Sequence, residues 1–360
     1  MTKEKVVIGL SGGVDSAVAA LLLKKEGYNV IGAFMKCFSD VKNPLTGECN
    51  WVAEKQMAQR IAAKLGIKFV MLDFEKEYTK FVIKEMYKAY SKGLTPNPDI
   101  VCNTLIKFPL FWKHAKKLGA DKIAMGHYAR IMPFGKKFKL LAGKDKTKDQ
   151  SYFLYELSQK DLSHTLFPIG NLTKEEVRKI AKKAKLPNWD KKGTRGVCFI
   201  GKVNFQSFLR KKIKGKEGNV IDSFGNIIGK HNGTMFYTLG QRIGSHIGIE
   251  IDKPHGTEEK KWYVAAKLKN NVLVAAPEGH GLLKKKEVFI ANIRFVNKHK
   301  TGRMKARIRH LGEFHNGVLK HKDGRWKFVF DEPVFGISPG QAIVFYLKDE
   351  VAGGGEIRLK

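Results

Sequence analysis

A chain of 360 residues with 43% hydrophobic and 11% aromatic side chains has material for more than one packed core, so two or three domains are expected. It contains no run of about 18 apolar residues, which excludes a membrane-spanning helix, and its four cysteines are too few for a disulfide scaffold, so a reducing cytoplasm is the expected compartment. The formal net charge is +33; of 67 basic residues 55 are Lys and 12 are Arg, a surplus that suits a polyanionic partner and equally fits a general compositional bias.

Met1–Lys5 runs directly into an apolar strand, Val6–Leu10, leaving no room for a signal or transit peptide. A Ser/Gly loop follows, then a helix from about Ser16 to Glu26 stopped by Gly27. Tyr28–Lys36 reads as the second strand, Trp51–Leu65 as a helix ended by Gly66, Ile67–Asp73 as the third strand and Phe81–Tyr90 as helical. After a Pro-rich loop comes a helix interrupted at Pro109, then the strand Lys122–Met125. This alternation predicts an α/β unit, a parallel sheet with helices on both faces. Ligands of such sheets sit beyond the carboxyl ends of the strands, where Ser11–Ser16, Met35, Asp73 and Gly126–His127 fall.

From Asn204 the pattern changes. One short helix, Phe205–Lys212, gives way to short strands with turn signals at Phe224-Gly225-Asn226, Lys269-Asn270-Asn271 and Lys322-Asp323-Gly324. Lys305–His310 and Trp326–Phe330 alternate as strands do. The expected division is residues 1–203, a small β-rich module at 204–279, and a barrel-like module at 280–360. Lys-dense stretches at 136–148, 174–192 and 284–286 are expected on surface helices and loops.

Ser11-Gly12-Gly13-Val14-Asp15-Ser16 joins a buried strand to a helix. Two glycines let the backbone close around a phosphate, while successive amides and the helix N-terminus supply positive potential. Asp15 is a candidate for Mg²⁺ and the serine hydroxyls for phosphate oxygens. The Walker spacing and its terminal Lys-Ser/Thr are absent, so this is not a GTPase-type site. The loop is of the type that splits ATP into AMP and pyrophosphate; an ordinary strand-to-helix turn is the alternative. Cys102 is expected near the start of a helix, where amides favour thiolate, with Pro96 and Pro98 stiffening the loop that carries Asp99. Taken alone, a lone cysteine is more often a small core residue. Cys198 lies between Gly196 and Gly201 in an apolar stretch. Cys37 and Cys49 lack CxxC or CxxH spacing, so no metal site is expected. His127 reads alone as a structural histidine, Asp149–Tyr152 as a cap or a ligand contact, and Pro339-Gly340-Gln341 as a turn.

Together these segments resemble the tRNA-specific 2-thiouridylases almost end to end. The residues that carry the likeness are Gly9–Ser16, Thr95-Pro96-Asn97-Pro98-Asp99 with Cys102-Asn103, Ile106-Lys107-Phe108, Gly126-His127-Tyr128, Asp149-Gln150-Ser151-Tyr152, Cys198-Phe199-Ile200-Gly201, Tyr237–Arg242, Pro339–Gln341 and Gly353–Gly355. The resemblance implies a PP-loop ATP-binding catalytic domain, a small β-rich central domain and a C-terminal β-barrel that binds tRNA. It also implies replacement of the 2-carbonyl oxygen of the wobble uridine by sulfur, on tRNAs for Lys, Glu and Gln. ATP with Mg²⁺ would adenylate that oxygen. A sulfur-relay protein or cysteine desulfurase would load Cys198 as a persulfide. Cys102 would be the second catalytic thiol and Asp99 a general acid/base. Gly9, Leu10, Ser11, Gly12, Gly13, Val14, Asp15, Ser16, Met35 and Gly126 map onto the nucleotide site. Asn97, Pro98 and Asp99 map onto the target base, and His127, Lys148, Asp149, Gln150, Arg309, His310 and Gln341 onto tRNA contacts. Gly193-Thr194-Arg195-Gly196 departs from the family's Asp-Ser-Thr-Gly before the persulfide cysteine. The rival readings are another ATP-pyrophosphatase, a tRNA-thiolating enzyme acting at a different uridine, and a non-enzymatic RNA-binding protein.

Overall fold

In the computed structural model, which describes residues 3–39, 49–193, 205–298 and 301–359, the chain opens with β1 (Lys5–Gly9), β2 (Asn29–Lys36), β3 (Lys68–Asp73) and β4 (Lys122–Ala124). A hairpin, β5 (Ala129–Phe134) and β6 (Lys137–Ala142), and the short β7 (Thr165–Leu166) follow. Five of these strands form one parallel sheet in the order β3-β2-β1-β4-β7. The chain winds outward from β1 to β3 and then returns past β1 to β4. The order therefore reverses at β1, and the crevice at its carboxyl end is where such sheets take ligands. Val6, Val7 and Ile8 are fully buried because both faces are covered. Helix Val14–Lys25 is apolar nearly all round for the same reason, packed among the strands and helices Asn50–Leu65 and Lys174–Lys183.

Pro109 does not break its helix. The run 98–117 passes from an α segment, Pro98–Cys102, through π-helical Asn103–Leu110 to Phe111–Lys117. A wider turn absorbs the missing N–H and the ring's steric conflict. A similar π insertion, Thr79–Ile83, joins Glu75–Tyr78 to Lys84–Ser91.

The central module is a four-stranded sheet ordered β10-β11-β8-β9, from β8 (Gly218–Ile221), β9 (Ile227–His231), β10 (Trp262–Leu268) and β11 (Val272–Pro277). Asn270 and Asn271 both take positive φ (63° and 61°), the geometry of a tight hairpin between β10 and β11. The last module comprises β12 (Lys284–Phe295), β13 (Gly302–Arg307), β14 (His315–Lys322), β15 (Arg325–Phe335), β16 (Ala342–Leu347) and β17 (Glu350–Arg358). Their order β12-β15-β14-β13-β16-β17, with β17 pairing back to β12, closes a six-stranded antiparallel barrel around Val288, Phe328, Phe330, Ile343 and Phe345. Gly353 permits that closure, since a Cβ there would stand 2.2 Å from the Arg294 carbonyl on β12.

The Lys-rich stretch at 284–286 and the first half of that at 136–148 are strands rather than surface helices or loops, while 143–148 is a surface loop as expected. Residues 137–142 form β6 and residues 284–286 begin β12. The hairpin β5–β6 joins the barrel's sheet, with Leu141 opposite Glu350 and the Ala142 amide donating to the Asp349 carbonyl at 2.8 Å. Arg130 and Lys146 both pair with Asp349, at 3.1 and 2.9 Å. The first unit and the barrel thus share a sheet.

Candidate nucleotide and thiol site

Ser11–Gly13 leaves β1 and enters helix Val14–Lys25 with Gly13 as N-cap and no side chain capping it. The first-turn amides are left for an anion, and the helix dipole adds to their potential. The loop's shape is set by its own serines. The Ser16 hydroxyl accepts from the Ser11 amide at 3.2 Å, lies 3.2 Å from the Ser11 hydroxyl and donates to the Gly13 carbonyl at 3.1 Å. Gly12 has φ +77°, and a Cβ there would lie 2.6 Å from the Glu54 carbonyl. Its own carbonyl accepts from Asn188 Nδ2 at 3.0 Å and Lys191 Nζ at 3.4 Å, and Lys191 also pairs with Glu54 at 2.6 Å. Gly126 presses against the helix start, where an added Cβ would be 2.8 Å from the Ser16 amide nitrogen. Gly9 is covered by Met125 and Met35, whose Sδ and Cε would stand 2.7 and 3.1 Å from a Cβ. Leu10 and Val14 are buried in the core beneath the loop.

Asp15, in the helix's first turn, pairs with Lys174 Nζ at 2.5 Å and accepts from the Tyr128 hydroxyl at 2.8 Å. Burial, and then the Asp15 charge, push the Tyr128 phenol well above its ordinary range, so it remains a donor. Among the described residues no three His, Cys, Asp or Glu side chains converge to hold a metal. Asp15, a single carboxylate paired with Lys174, does not by itself make a magnesium site.

The second part of the site is the short helix Pro98–Cys102. Asn97 caps it, accepting from the Ile100 amide at 3.3 Å, and Pro98 takes the first position, where its missing N–H costs nothing. Asn97, Pro98 and Asp99 are half-buried, while Cys102 is 0% exposed. Asp99 and Cys102 are three residues apart and so share a face. The thiol occupies the second turn rather than the start, where the dipole's influence has already faded. Cys102 belongs to the large apolar cluster that also holds Met35 and Met125. Cys198 and Arg195 lie outside the described residues.

The expected RNA contacts divide by exposure. Lys148 and Arg309 are exposed. His127 is enclosed by Phe108 and Phe167, its Nδ1 has no partner among the described residues, and burial followed by Lys107 holds it well below its usual pKa. Asp149 is fully buried. It pairs with Arg307 at 2.8 Å and accepts from the amides of Gly143 and Ser151, so it has no surface to offer an RNA in this conformation. Gln150 locks onto Tyr128 through both its side-chain oxygen and its amide. His310 packs on Phe153, ring centroids 4.3 Å apart. Gln341 turns inward and donates to the carbonyl of Thr95 at 3.0 Å.

Family models match the chain in three consecutive stretches. They are a tRNA methyl transferase HUP domain at 4–202, a tRNA methyl transferase PRC-barrel domain at 206–276 and an aminomethyltransferase beta-barrel domain at 285–357. The tRNA-specific 2-thiouridylase MnmA 1 of Geobacillus kaustophilus is 44% identical over 363 residues, 99% of this chain and 96% of that protein. The chain belongs to the tRNA-specific 2-thiouridylase family. The MnmA proteins of Bacillus subtilis and Nitrosococcus oceani are 41% and 43% identical, covering 98% and 99% of this chain and 94% and 97% of their own. Among solved structures, an NMN synthetase from Francisella tularensis has TM-score 0.34 at 20% identity, over 54% of this chain and 67% of that one.

Four side chains that build the loop are not among the site residues expected from the sequence: Glu54, and Lys174, Asn188 and Lys191 from the Lys-dense stretch at 174–192. Lys174 sits just inside a capping box, Thr173 with Glu176, which fixes the helix start and so aims its ammonium at Asp15. That box is a local signal; the distance from Lys174 to Asp15 along the chain hides the pairing.

Proposed function

We propose that the protein is a tRNA-uridine 2-sulfurtransferase acting on the wobble uridine of tRNAs for Lys, Glu and Gln. The observations that support this reading are the helix on which Asn97, Asp99 and Cys102 stand and, after β1, an uncapped helix N-terminus behind two glycines. The loop amides and Ser11 bind ATP's phosphates, and Gly9, Met35 and Gly126 bound the nucleotide, whose phosphates bring magnesium. The uridine's 2-carbonyl oxygen attacks the α-phosphorus and pyrophosphate leaves; this activation is needed because oxide is a poor leaving group from C2 and AMP a good one. The terminal sulfur of a Cys198 persulfide then bonds to C2 and AMP departs. Cys102 thiolate attacks the Cys198 sulfur, the sulfur–sulfur bond breaks with its electron pair passing to the sulfur on C2, and a Cys102–Cys198 disulfide remains for external thiol to reduce. Asp99, one helical turn from Cys102, shuttles the proton. The base must leave the anticodon stack to reach this helix. A sulfur-relay protein or cysteine desulfurase supplies the persulfide.

Pyrophosphate release measured with and without tRNA tests the proposal, followed by mass spectrometry of the tRNA nucleosides. The expected results are RNA-dependent AMP formation and 2-thiouridine at the wobble position. Cys198→Ser should abolish the product while leaving tRNA binding intact. Pyrophosphate release that ignores tRNA, or sulfur at another uridine, overturns it.

A further inference from the structure

The segment preceding Asn97 is held from three directions. Thr95, 7% exposed, places its hydroxyl 3.1 Å from that of Thr238 in the central module and accepts from Ser338 of the barrel at 3.4 Å. With Ser338 donating, the Thr95 proton is left to point at Thr238, so one hydroxyl chain crosses all three modules. The Thr95 amide donates to the Pro339 carbonyl at 2.9 Å, and Gln341 Nε2 donates to the Thr95 carbonyl at 3.0 Å and reaches that of Pro96 at 3.5 Å. Lys267 of β10, driven down to a pKa of about 8 by burial, donates to the Gly93 carbonyl at 2.9 Å. The contact is too close for side chains. A Cβ on Gly340 would lie 2.9 Å from the Thr95 amide nitrogen, and one on Gly240 would lie 2.5 Å from the Gly336 Cα.

We infer that Thr95, Thr238 and Gln341 are positioning residues, a grip by which the central module and the barrel fix the register of Asn97–Asp99 and Cys102 for reaction. The inference rests on the sulfurtransferase reading for its chemistry but not for its geometry. The residues that would meet the base begin two positions after Thr95, and Asn97 is the cap that starts their helix. A loop misplaced by about 1 Å at that point costs rate rather than substrate affinity. The grip also gives the central module a task.

Two readouts separate the grip from the reaction. Hydrogen exchange across residues 94–103 should speed up about five- to tenfold in Thr95→Val, Thr238→Val and Gln341→Ala, each of which removes side-chain hydrogen bonds of the grip, and should stay at the parent rate in Thr95→Ser. Single-turnover thiolation of saturating tRNA should slow by a similar factor in the same three variants, with tRNA affinity and the ATP dependence unchanged, and Thr95→Ser should restore it. Thr95→Val with Gln341→Ala together should cost less than the product of the single losses. Unchanged exchange in the variants overturns the grip. So does a rate loss that appears only as weaker tRNA binding, which would make Gln341 an RNA contact. If the parent protein exchanges as expected yet forms no 2-thiouridine, the sulfurtransferase reading fails and the grip stands.

Discussion

Arg307 and Asp149 are 7% and 0% exposed, and both carry charge that water no longer solvates. Asp149 compensates with the amides of Gly143 and Ser151, and Arg307 lies over the Phe314 ring at 3.9 Å. Removing one partner strands the other. Arg307→Met should therefore lower stability by about 3–5 kcal/mol, and Arg307→Met with Asp149→Asn should recover part of the loss. Urea midpoints at constant slope read both. His310 offers a second test. Burial, its largest cause, pushes its pKa down to about 4, so between about pH 6.5 and 4 the unfolded chain binds a proton that the folded one refuses. Stability falls as pH drops through that window, and the loss is complete below it. His310→Phe, which keeps the packing on Phe153, should lose less stability than the parent between pH 7.5 and 5 by chemical denaturation. The sequence singled out these positions but could not tell which way they faced. Asp149, His127 and Gln341 look alike as polar residues in turns, and only partners far along the chain decide that each turns inward.

Elements were more legible than their junctions. Glycine stops at 27 and 66, and the apolar run at 6–8, placed the first strands and helices because local sterics and burial on both faces leave few options. The π insertions at 79–83 and 103–110 carry no local signature apart from Pro109, and the hairpin at 129–142 was hidden because its Lys residues suggested an open surface. The helix N-terminus behind Ser11–Gly13 depends on another element, since Gly126 after β4 touches its first-turn backbone. Gly126→Ala must push one of them back. ATP affinity should fall about tenfold or more while the melting temperature drops only modestly, an overpacking cost of about 1–3 kcal/mol. Isothermal titration with a non-hydrolysable ATP analogue checks it.

Across the whole molecule the surplus of 33 positive charges is the feature most open to a bland explanation. If it serves RNA, tRNA affinity should fall along a straight log–log line with salt, by about 10³-fold or more between about 50 and 200 mM for six or more phosphate contacts. A filter-binding series settles the matter, and a shallow slope would mean that the lysines do not meet the phosphates.

Because β6 finds its outer neighbour in β17, the part of the chain before the barrel is not a self-sufficient piece. Severed before the barrel, it would carry a bare ribbon of unpaired amides and carbonyls, prone to clumping. Supplied with the missing barrel on a second polypeptide, the same edge becomes the docking strip, so the enzyme lends itself to splitting into fragments that report on their own reunion.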